Sequence, residues 1–221
     1  MPSKNSVKKY VVNGVYHIYN RGVEKREIFL DEQDYSIFLY YLKSYLTPLK
    51  EQIKPPSSIR YLRDFTLPQE IQLIAYVLMP THFHLMLKQF TEKAIVEFMK
   101  RLCNAYVSYF NKKYERVGTL FQSRYKAVLI DKENYYLHLT RYIHLNPIEL
   151  FSKDIYKKLQ NYSYSSYPDY IGKRNTQWIH KQEIIEYFKH NQDELGFSTY
   201  QEFTEKYAEE SREILKNITI D

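Results

Sequence analysis

Two histidines separated by one residue, His82 and His84, form the pattern in this 221-residue chain that is best suited to chemistry. Side chains on a β-strand alternate between its faces, so His82 and His84 would share one face while Phe83 and Leu85 occupy the other. Imidazole is a common metal ligand, and two imidazoles at this spacing can bind one divalent cation without distorting the backbone. The same spacing also fits two ordinary half-buried histidines, so the pair alone leaves both interpretations open.

The composition indicates a globular protein with one full hydrophobic core, because 44% of its residues are hydrophobic and 26% are charged. Apolar runs such as Ile74 to Pro80 are too short to span a bilayer. Residues Met1 to Tyr10 lack the apolar segment of a secretion signal, so we expect a cytoplasmic location and no membrane partner. Cys103 is the single cysteine, which excludes an internal disulfide and a cysteine-rich zinc site.

The charge balance and the aromatic content point to nucleic acid as one class of partner. The net charge is +6, and the chain contains 24 tyrosines and 12 phenylalanines. Cations can bind the phosphates of a single strand while aromatic rings stack on its bases. A basic surface with tyrosines half-buried around a sheet would give the same composition, so this feature does not decide between the two.

The order of the predicted elements indicates an α+β protein with a ferredoxin-like (RRM-like) fold. Three helices are predicted: one capped by Asp31 and closed by Pro48, one capped by Thr91 and running from Glu92 to Tyr114, and one from Asp131 to Asn146. The predicted strands are Val15–Tyr19, Ile71–Met79, Thr81–Lys88 and Tyr125–Ile130. The alternation is that of a split βαβ antiparallel sheet, followed by an extra C-terminal helix that bears tyrosines. Such a sheet has helices on one face and leaves the other face available to a ligand.

We predict two parts of the chain, an N-terminal domain of residues 1–150 and a mostly helical C-terminal appendage of residues 151–221. The composition becomes more polar after Pro147. A loop is expected at Pro55–Ser58 and an irregular segment at Tyr162–Pro168. Two amphipathic segments follow, at Lys181–His190 and Thr199–Lys216. The appendage is expected to pack on the domain or to fold over its substrate.

Three ordered blocks in the domain carry a resemblance to a known family. They read MPTHFH at residues 79–84, GTLFQSRYK at 118–126 and RYIHLNP at 141–147. The blocks resemble the signatures of REP-associated tyrosine transposases, a branch of the single-tyrosine HUH transposases. The similarity runs in order from about Val15 to Pro147 and extends towards the aromatic, serine-rich segment at Tyr162–Gly172.

The resemblance implies roles for individual residues. Tyr142 matches the nucleophile, and His82 and His84 match the pair that binds Mg²⁺ or Mn²⁺ against the scissile phosphate. Asn146 matches the polar residue that completes this metal site, where many relatives have glutamine. The spacing agrees with these roles, because residues four apart on a helix lie on one face. A phenol with a pKa of about 10 is protonated at neutral pH, so attack by Tyr142 needs a base or a nearby cation.

Five basic residues are candidates for contacts with DNA phosphates. Arg124 and Lys126 lie at the start of a predicted strand beside the expected site, and Arg21, Lys25 and Arg26 follow the first strand. Solvated surface charges are the alternative interpretation for all of them.

Three further predictions concern other polar and aromatic residues. His144 should face away from Tyr142 on a helix. The histidines at 17, 180 and 190 are interpreted as structural or solvent-facing. The tyrosines at 125, 135 and 136 are the substitutes for Tyr142 if the predicted helix phase is wrong.

The function implied by the resemblance is that of a metal-dependent transposase or endonuclease acting on single-stranded DNA. It would cut and rejoin DNA hairpins (REP-like palindromes) through a 5′-phosphotyrosine intermediate, working as a monomer rather than a dimer. Two alternatives remain open. A non-catalytic ferredoxin-like module could bind single-stranded DNA or RNA by stacking alone. A zinc hydrolase could use the His82 and His84 pair, although the sequence offers no obvious third ligand.

Overall fold

A computed structural model describes residues 10–48, 67–131, 133–190 and 196–206, without the side chains of residues 133 and 134. The predicted loop at Pro55–Ser58 lies outside the described residues, as does the end of the predicted Thr199–Lys216 segment beyond residue 206. Within the described residues, no helix is both long and apolar enough to cross a membrane.

The centre of the fold is a four-stranded sheet in the order β2-β3-β1-β4 with every neighbouring pair antiparallel. Its strands are β1 (Val15–Arg21), β2 (Ile71–Met79), β3 (His82–Gln89) and β4 (Lys126–Leu129). Helix α1 (Glu32–Leu46) connects β1 to β2, and helix α2 (Ala94–Lys113) connects β3 to β4. This is the split βαβ arrangement, so the predicted fold is confirmed.

The remaining elements follow β4 in the chain. They are α3 (Glu133–Leu145), a 3₁₀ turn (Asn146–Leu150), α4 (Ile155–Gln160), α5 (Tyr167–Tyr170), α6 (Gln182–His190) and α7 (Tyr200–Lys206). A further 3₁₀ turn, Val23–Lys25, follows β1. The segment predicted as irregular, Tyr162–Pro168, is so until α5 begins at Tyr167.

Side-chain chemistry explains where the first two helices begin. Asp31 caps α1 as predicted, because its carboxylate accepts a hydrogen bond from the Asp34 amide at 3.1 Å. The predicted Thr91 cap for α2 is wrong. The Thr91 hydroxyl instead donates to the Glu70 carboxylate at 2.8 Å, and α2 begins at Ala94. A contact with a residue 21 positions earlier has therefore replaced a local cap.

One face of the sheet packs against α1 and α2. Phe83 of β3 lies 5.2 Å from Phe38 of α1, measured between ring centroids. Tyr106 of α2 packs on the same Phe38 ring and donates its hydroxyl to the Ile28 carbonyl. Because strand side chains alternate, the residues on either side of Phe83, namely His82 and His84, lie on the opposite face.

Helix α3 lies across that opposite face, where an open surface was expected. Its Leu139 and Ile143 are fully buried, and Tyr142 is 5% exposed. An amphipathic helix is stable only when its apolar stripe is covered, and β2 and β3 provide that cover. The expectation of an uncovered second face is therefore wrong over this part of the sheet.

The C-terminal segment covers the free edge of β2. The Leu78 amide donates to the Tyr164 carbonyl at 2.9 Å, and the His180 amide donates to the Leu73 carbonyl at 2.8 Å. The Ser166 amide donates to the Tyr76 carbonyl at 3.0 Å. These bonds satisfy backbone groups that an exposed edge strand would leave unpaired.

Candidate active site

The pairing of β3 with β1 and of β1 with β4 brings polar side chains together on the α3 side of the sheet. Directly paired residues of antiparallel strands share a face. His82 is paired with Arg21, and His84 is paired with Tyr19, which is in turn paired with Lys126 of β4. Arg21 and Lys126, two of the predicted phosphate contacts, therefore lie on the same face as the histidines.

His82 lies at the start of β3, immediately after the Pro80-Thr81 turn, and is 8% exposed. Its Nδ1 is 3.0 Å from the Thr81 hydroxyl oxygen, and its Nε2 is 3.4 Å from Oδ1 of Asn146. The second distance is long for an N–H···O hydrogen bond, whose usual range ends near 3.2 Å. The two atoms are nevertheless near enough to be brought to one cation, whose neighbouring ligands lie about 3 Å apart at bond lengths of about 2.1 Å.

Asn146 is oriented by the end of α3. Its Nδ2 donates to the Tyr142 carbonyl at 2.8 Å, one turn earlier in the chain. This bond uses the amino end of the carboxamide and leaves Oδ1 directed at His82. The side chain therefore caps the helix and presents an oxygen to the candidate site at the same time.

His84 is fully buried, and its two ring nitrogens have different surroundings. Nδ1 is 2.8 Å from Nε2 of His17, and the two rings are stacked with an interplanar angle of 18°. Nε2 is buried without a hydrogen-bond partner among the described residues. Burial lowers the pKa of His84 well below its usual value, and His17, His82 and Arg21 lower it further. His84 is therefore neutral at physiological pH.

Tyr142 packs beside these histidines from α3. Its ring meets the His84 ring edge-on, with centroids 5.5 Å apart, and the His17 ring with centroids 6.2 Å apart. The structure thus brings together the four residues that the sequence singled out for nucleophile and metal roles: His82, His84, Tyr142 and Asn146.

His17 was interpreted as structural or solvent-facing, and the structure excludes the solvent-facing alternative. It is fully buried on β1 and contacts both His84 and Tyr142. The signal available in the sequence was the alternation of His17, Tyr19 and Arg21 along one strand. That pattern becomes informative only when β1 is known to pair with β3.

The five basic residues do not form a single surface. The Arg21 Nε atom is buried without a hydrogen-bond partner among the described residues. Arg26 forms an exposed ion pair with Glu24 at 3.2 Å, and the neighbouring Lys25 is exposed. Arg124 is exposed and lines a groove of about 900 Å³ between α2 and residues 119–125. Asn20 also lines this groove. Because Asn20 and Arg21 are neighbours on β1, their side chains lie on opposite faces of the sheet. Arg124 therefore lies away from the face that carries the histidines.

His144 points away from Tyr142, as predicted. Its Nδ1 is 2.6 Å from the Tyr200 hydroxyl and its Nε2 is 2.7 Å from Oγ of Ser166. Burial lowers its pKa to about 3. His138, four residues before Tyr142, contacts Arg141 and Phe203, with Nδ1 2.9 Å from the Arg141 guanidinium. Both histidines connect α3 to the C-terminal segment.

Two of the alternative nucleophiles have hydroxyl partners elsewhere. The Tyr136 hydroxyl donates to the Glu183 carboxylate at 3.2 Å, and burial raises its pKa. The Tyr125 hydroxyl is 2.7 Å from the Tyr10 hydroxyl, and burial raises the pKa of Tyr125 as well.

Among the described residues, no group of three or more His, Cys, Asp or Glu side chains is placed to hold a metal. The donors gathered here are two imidazoles and one amide oxygen.

The structure combines an antiparallel ferredoxin-like sheet, two histidines on one of its strands and a tyrosine-bearing helix that packs on them. Residues 10–146 match the family described as IS200-like transposases, and the chain belongs to that family. It is therefore a DNA transposase, as the sequence blocks predicted. A comparison with curated proteins finds no match.

Two solved structures are similar to this chain at low sequence identity, and the first of them shares its fold. A REP-associated tyrosine transposase bound to a REP hairpin is similar with a TM-score of 0.51 and 12% identity, over 80% of this chain and 96% of that chain. A protein of Deinococcus radiodurans R1 described as a transposase has a TM-score of 0.37 and 17% identity, over 65% and 95% of the two chains.

Proposed function

We propose that this transposase cleaves and rejoins single-stranded DNA by forming a covalent bond between Tyr142 and a 5′-phosphate. The observation that carries the proposal is the meeting of Tyr142 and Asn146 of one helix end with His84 and His82 of one strand. A nucleophile and three candidate donors for a cation thus converge at one place on the sheet.

In the proposed reaction, the Tyr142 hydroxyl oxygen attacks the scissile phosphorus as the bond to the 3′-oxygen breaks. The tyrosine loses its proton to solvent, and the departing 3′-oxygen takes up a proton to become a free hydroxyl. A 3′-hydroxyl of another strand can then attack the phosphotyrosine and release Tyr142. The covalent bond conserves the energy of the phosphodiester, so the reaction requires no nucleotide cofactor.

The donor set fits a divalent cation, for which we propose Mg²⁺ or Mn²⁺. Nε2 of His84 is a buried nitrogen that lacks a partner among the described residues, and the donor atoms His82 Nε2 and Asn146 Oδ1 lie 3.4 Å apart. When bound, such a cation supplies Lewis-acid polarisation of the phosphate. Two imidazoles make the donor set rich in nitrogen, which favours Mn²⁺ over Mg²⁺.

The proposed contacts with DNA phosphates differ in their support. Arg21 has the strongest support, because it lies beside His82 and its buried Nε lacks a hydrogen-bond partner within the described residues. An anion there would satisfy that nitrogen, and an arginine–phosphate bond is charge-assisted. Lys126 lies on the same face, next to Tyr19. Arg124 and Lys25 are exposed, whereas the ion pair with Glu24 weakens the assignment of Arg26.

We propose folded single-stranded hairpins as the substrate. The structural relative with a TM-score of 0.51 is bound to a REP hairpin, and this chain covers 96% of it. The net charge of +6 suits a partner that offers phosphates.

The decisive experiment incubates the protein with hairpin DNA from the flanks of its own gene in the presence of Mn²⁺. A denaturing gel should show a covalent protein–DNA adduct, and mass spectrometry should place the DNA on the peptide containing Tyr142. Tyr142→Phe should form no adduct, because it lacks the attacking oxygen. Tyr136→Phe, on the same helix, is the matched control and should keep the adduct.

Three outcomes would contradict the proposal in different ways. An adduct on another tyrosine would keep the reaction class and discard Tyr142 as the nucleophile. Hairpin binding without any adduct would favour the non-catalytic nucleic-acid module. A perfectly paired duplex should be a poor substrate, and equal cleavage of both forms would indicate a different class of nuclease.

A further inference from the structure

His17 is a buried histidine to which the proposed reaction gives no role. It lies in the middle of β1, between Tyr16 and Ile18, and is 0% exposed. Its paired residue on β3 is Met86, so His84 is its diagonal neighbour on the same face. Nε2 of His17 is 2.8 Å from Nδ1 of His84, and the stacked rings have centroids 5.1 Å apart.

The contact between the two rings needs one proton, which can belong to either ring. A neutral imidazole has one N–H donor and one acceptor nitrogen. If His17 donated, Nδ1 of His84 would accept and the proton of His84 would have to be on Nε2. That arrangement would bury an N–H group without an acceptor among the described residues and would leave Nε2 unable to bind a cation.

The opposite arrangement agrees better with the surroundings of His84. If Nδ1–H of His84 donates to His17, Nε2 carries a lone pair instead of a proton. A lone pair is what binding to a cation requires, and Nε2 is the nitrogen of His84 that is left over at the candidate site. His82 is oriented by comparable contacts, with Nδ1 3.0 Å from the Thr81 hydroxyl and Nε2 3.4 Å from Oδ1 of Asn146.

We propose that His17 is a positioning residue that accepts the Nδ1–H of His84 and so keeps Nε2 of His84 unprotonated and directed at a divalent cation. The proposal rests on the proposed function, since the cation is the one assigned there to His82, His84 and Asn146. It adds an outer partner for one ligand, and such partners fix the orientation and tautomer of metal-binding histidines.

Two variants of His17 separate the hydrogen bond from the packing. His17→Phe keeps an aromatic ring against His84 and Tyr142 but has no acceptor. His17→Gln can place its amide oxygen where Nε2 of His17 lies. His180→Phe changes an exposed histidine outside the site and serves as the matched control.

The first measurement uses metal-free protein and is independent of catalysis. Nitrogen-15 NMR distinguishes protonated from unprotonated ring nitrogens, and the His84 signals are assigned by their loss in His84→Gln. In the wild-type protein, His84 should be protonated at Nδ1. The His17→Phe variant should shift that proton towards Nε2, whereas His17→Gln should retain it on Nδ1.

The second measurement is Mn²⁺ binding, followed by the electron paramagnetic resonance signal of the free ion. His17→Phe should bind Mn²⁺ about 10- to 100-fold more weakly, as is typical when an outer partner of a ligand is lost. His17→Gln should recover most of that loss, and His180→Phe should match the wild type. Wild-type Mn²⁺ affinity in His17→Phe, or a wild-type His84 protonated at Nε2, would overturn the proposal.

A failure of the proposed function gives a separate result. In that case the wild-type protein forms no adduct on Tyr142 and does not bind Mn²⁺, while the NMR spectrum still reports the tautomer of His84. If His17→Phe does not fold, the proposal is tested by the other two proteins. It requires that wild-type His84 is protonated at Nδ1 and that His17→Gln binds Mn²⁺ nearly as tightly as the wild type. Protonation of His84 at Nε2 rejects the proposal in either protein.

Discussion

At the scale of single residues, each donor of the candidate site is held through an atom that the proposed cation would not need. Nδ2 of Asn146 bonds to the Tyr142 carbonyl, Nδ1 of His82 contacts Thr81, and Nδ1 of His84 contacts His17. The opposite end of each side chain faces the site. Orientation through the remote atom restricts rotation, so little conformational freedom is left to lose when a ligand binds.

Removing either histidine should abolish catalysis and leave DNA binding intact. His82→Ala and His84→Ala each delete an imidazole of the proposed cation site, so adduct formation should fall below detection. Hairpin affinity, measured by fluorescence anisotropy, should change little because phosphate contacts and stacking provide most of it.

Removal of the metal should have the same effect on the wild-type protein. Excess chelator should prevent adduct formation, and added Mn²⁺ should restore it. His180→Ala, at an exposed histidine, should behave as the wild type. Full cleavage by the His82→Ala/His84→Ala double variant would discard the metal assignment.

At the scale of elements, Ser166 joins β2, α3 and the C-terminal segment. Its hydroxyl oxygen accepts a hydrogen bond from the Tyr76 amide at 2.9 Å and lies 2.7 Å from Nε2 of His144. The Tyr200 hydroxyl contacts the other nitrogen of that histidine at 2.6 Å. These polar groups are buried, so the position of α3 on the sheet depends on a hydrogen-bond chain that has little access to water.

Ser166→Ala should therefore destabilise the protein. The substitution leaves the Tyr76 amide and Nε2 of His144 without their buried partner, at a cost of about 1–3 kcal/mol in the free energy of unfolding. Urea denaturation followed by circular dichroism measures the change. Ser163→Ala, at an exposed serine three residues earlier, should stay within about 0.5 kcal/mol of the wild type. Equal effects of the two substitutions would show that the chain of hydrogen bonds contributes no stability.

His138 makes stability depend on pH at the contact between α3 and α7. Burial, with a smaller effect from the neighbouring Arg141 guanidinium, lowers its pKa to about 4. In the unfolded chain the imidazole takes up a proton below a pH of about 6.5. Between these two values the unfolded state binds more protons than the folded state. The stability that depends on an uncharged His138 is therefore fully present above a pH of about 6.5. It is lost as the pH falls towards about 4, so the free energy of unfolding decreases over this range.

The variant His138→Gln should reduce this pH dependence. Its amide oxygen can still accept from Arg141 but does not titrate. The difference in urea midpoint between pH 7 and pH 5 should be smaller in the variant than in the wild type. Part of the wild-type dependence should remain, because His84 and His144 also have lowered pKa values. Identical pH profiles would contradict the assignment to His138.

At the scale of the whole molecule, one chain supplies every residue of the candidate site. The Tyr142 ring contacts His84 of the same chain, and the next helical turn brings Asn146 to His82. A tyrosine helix exchanged between two subunits is therefore not required to assemble the site. We propose that the enzyme acts as a monomer.

A mixing experiment tests this proposal. If the site is complete in one chain, the His82→Ala/His84→Ala variant mixed with Tyr142→Phe should form no adduct. Exchange of the helix between subunits would unite an intact tyrosine with intact histidines and restore part of the activity. Wild-type protein mixed with each variant should keep its own activity and serves as the control.

Much of the fold was predictable because its signals are local. A nearly continuous apolar run located β2, the turn after it located β3, and the three- to four-residue spacing located α1, α2 and α3. The errors occurred where a distant residue changes a local preference. Thr91 has the chemistry of a helix cap, but its hydroxyl is bonded to Glu70. The extra helix was predicted, yet the face it covers was expected to be open.

The sequence by itself determined which residues could take part in the site. The alternation of β3 places His82 and His84 on one face, and the four-residue spacing places Tyr142 and Asn146 on one side of α3. Tertiary structure alone decided what surrounds them. His17 and His84 are 67 residues apart, and their contact depends on the register of β1 against β3. Register and helix docking follow from packing between distant segments, which no local pattern in the sequence specifies.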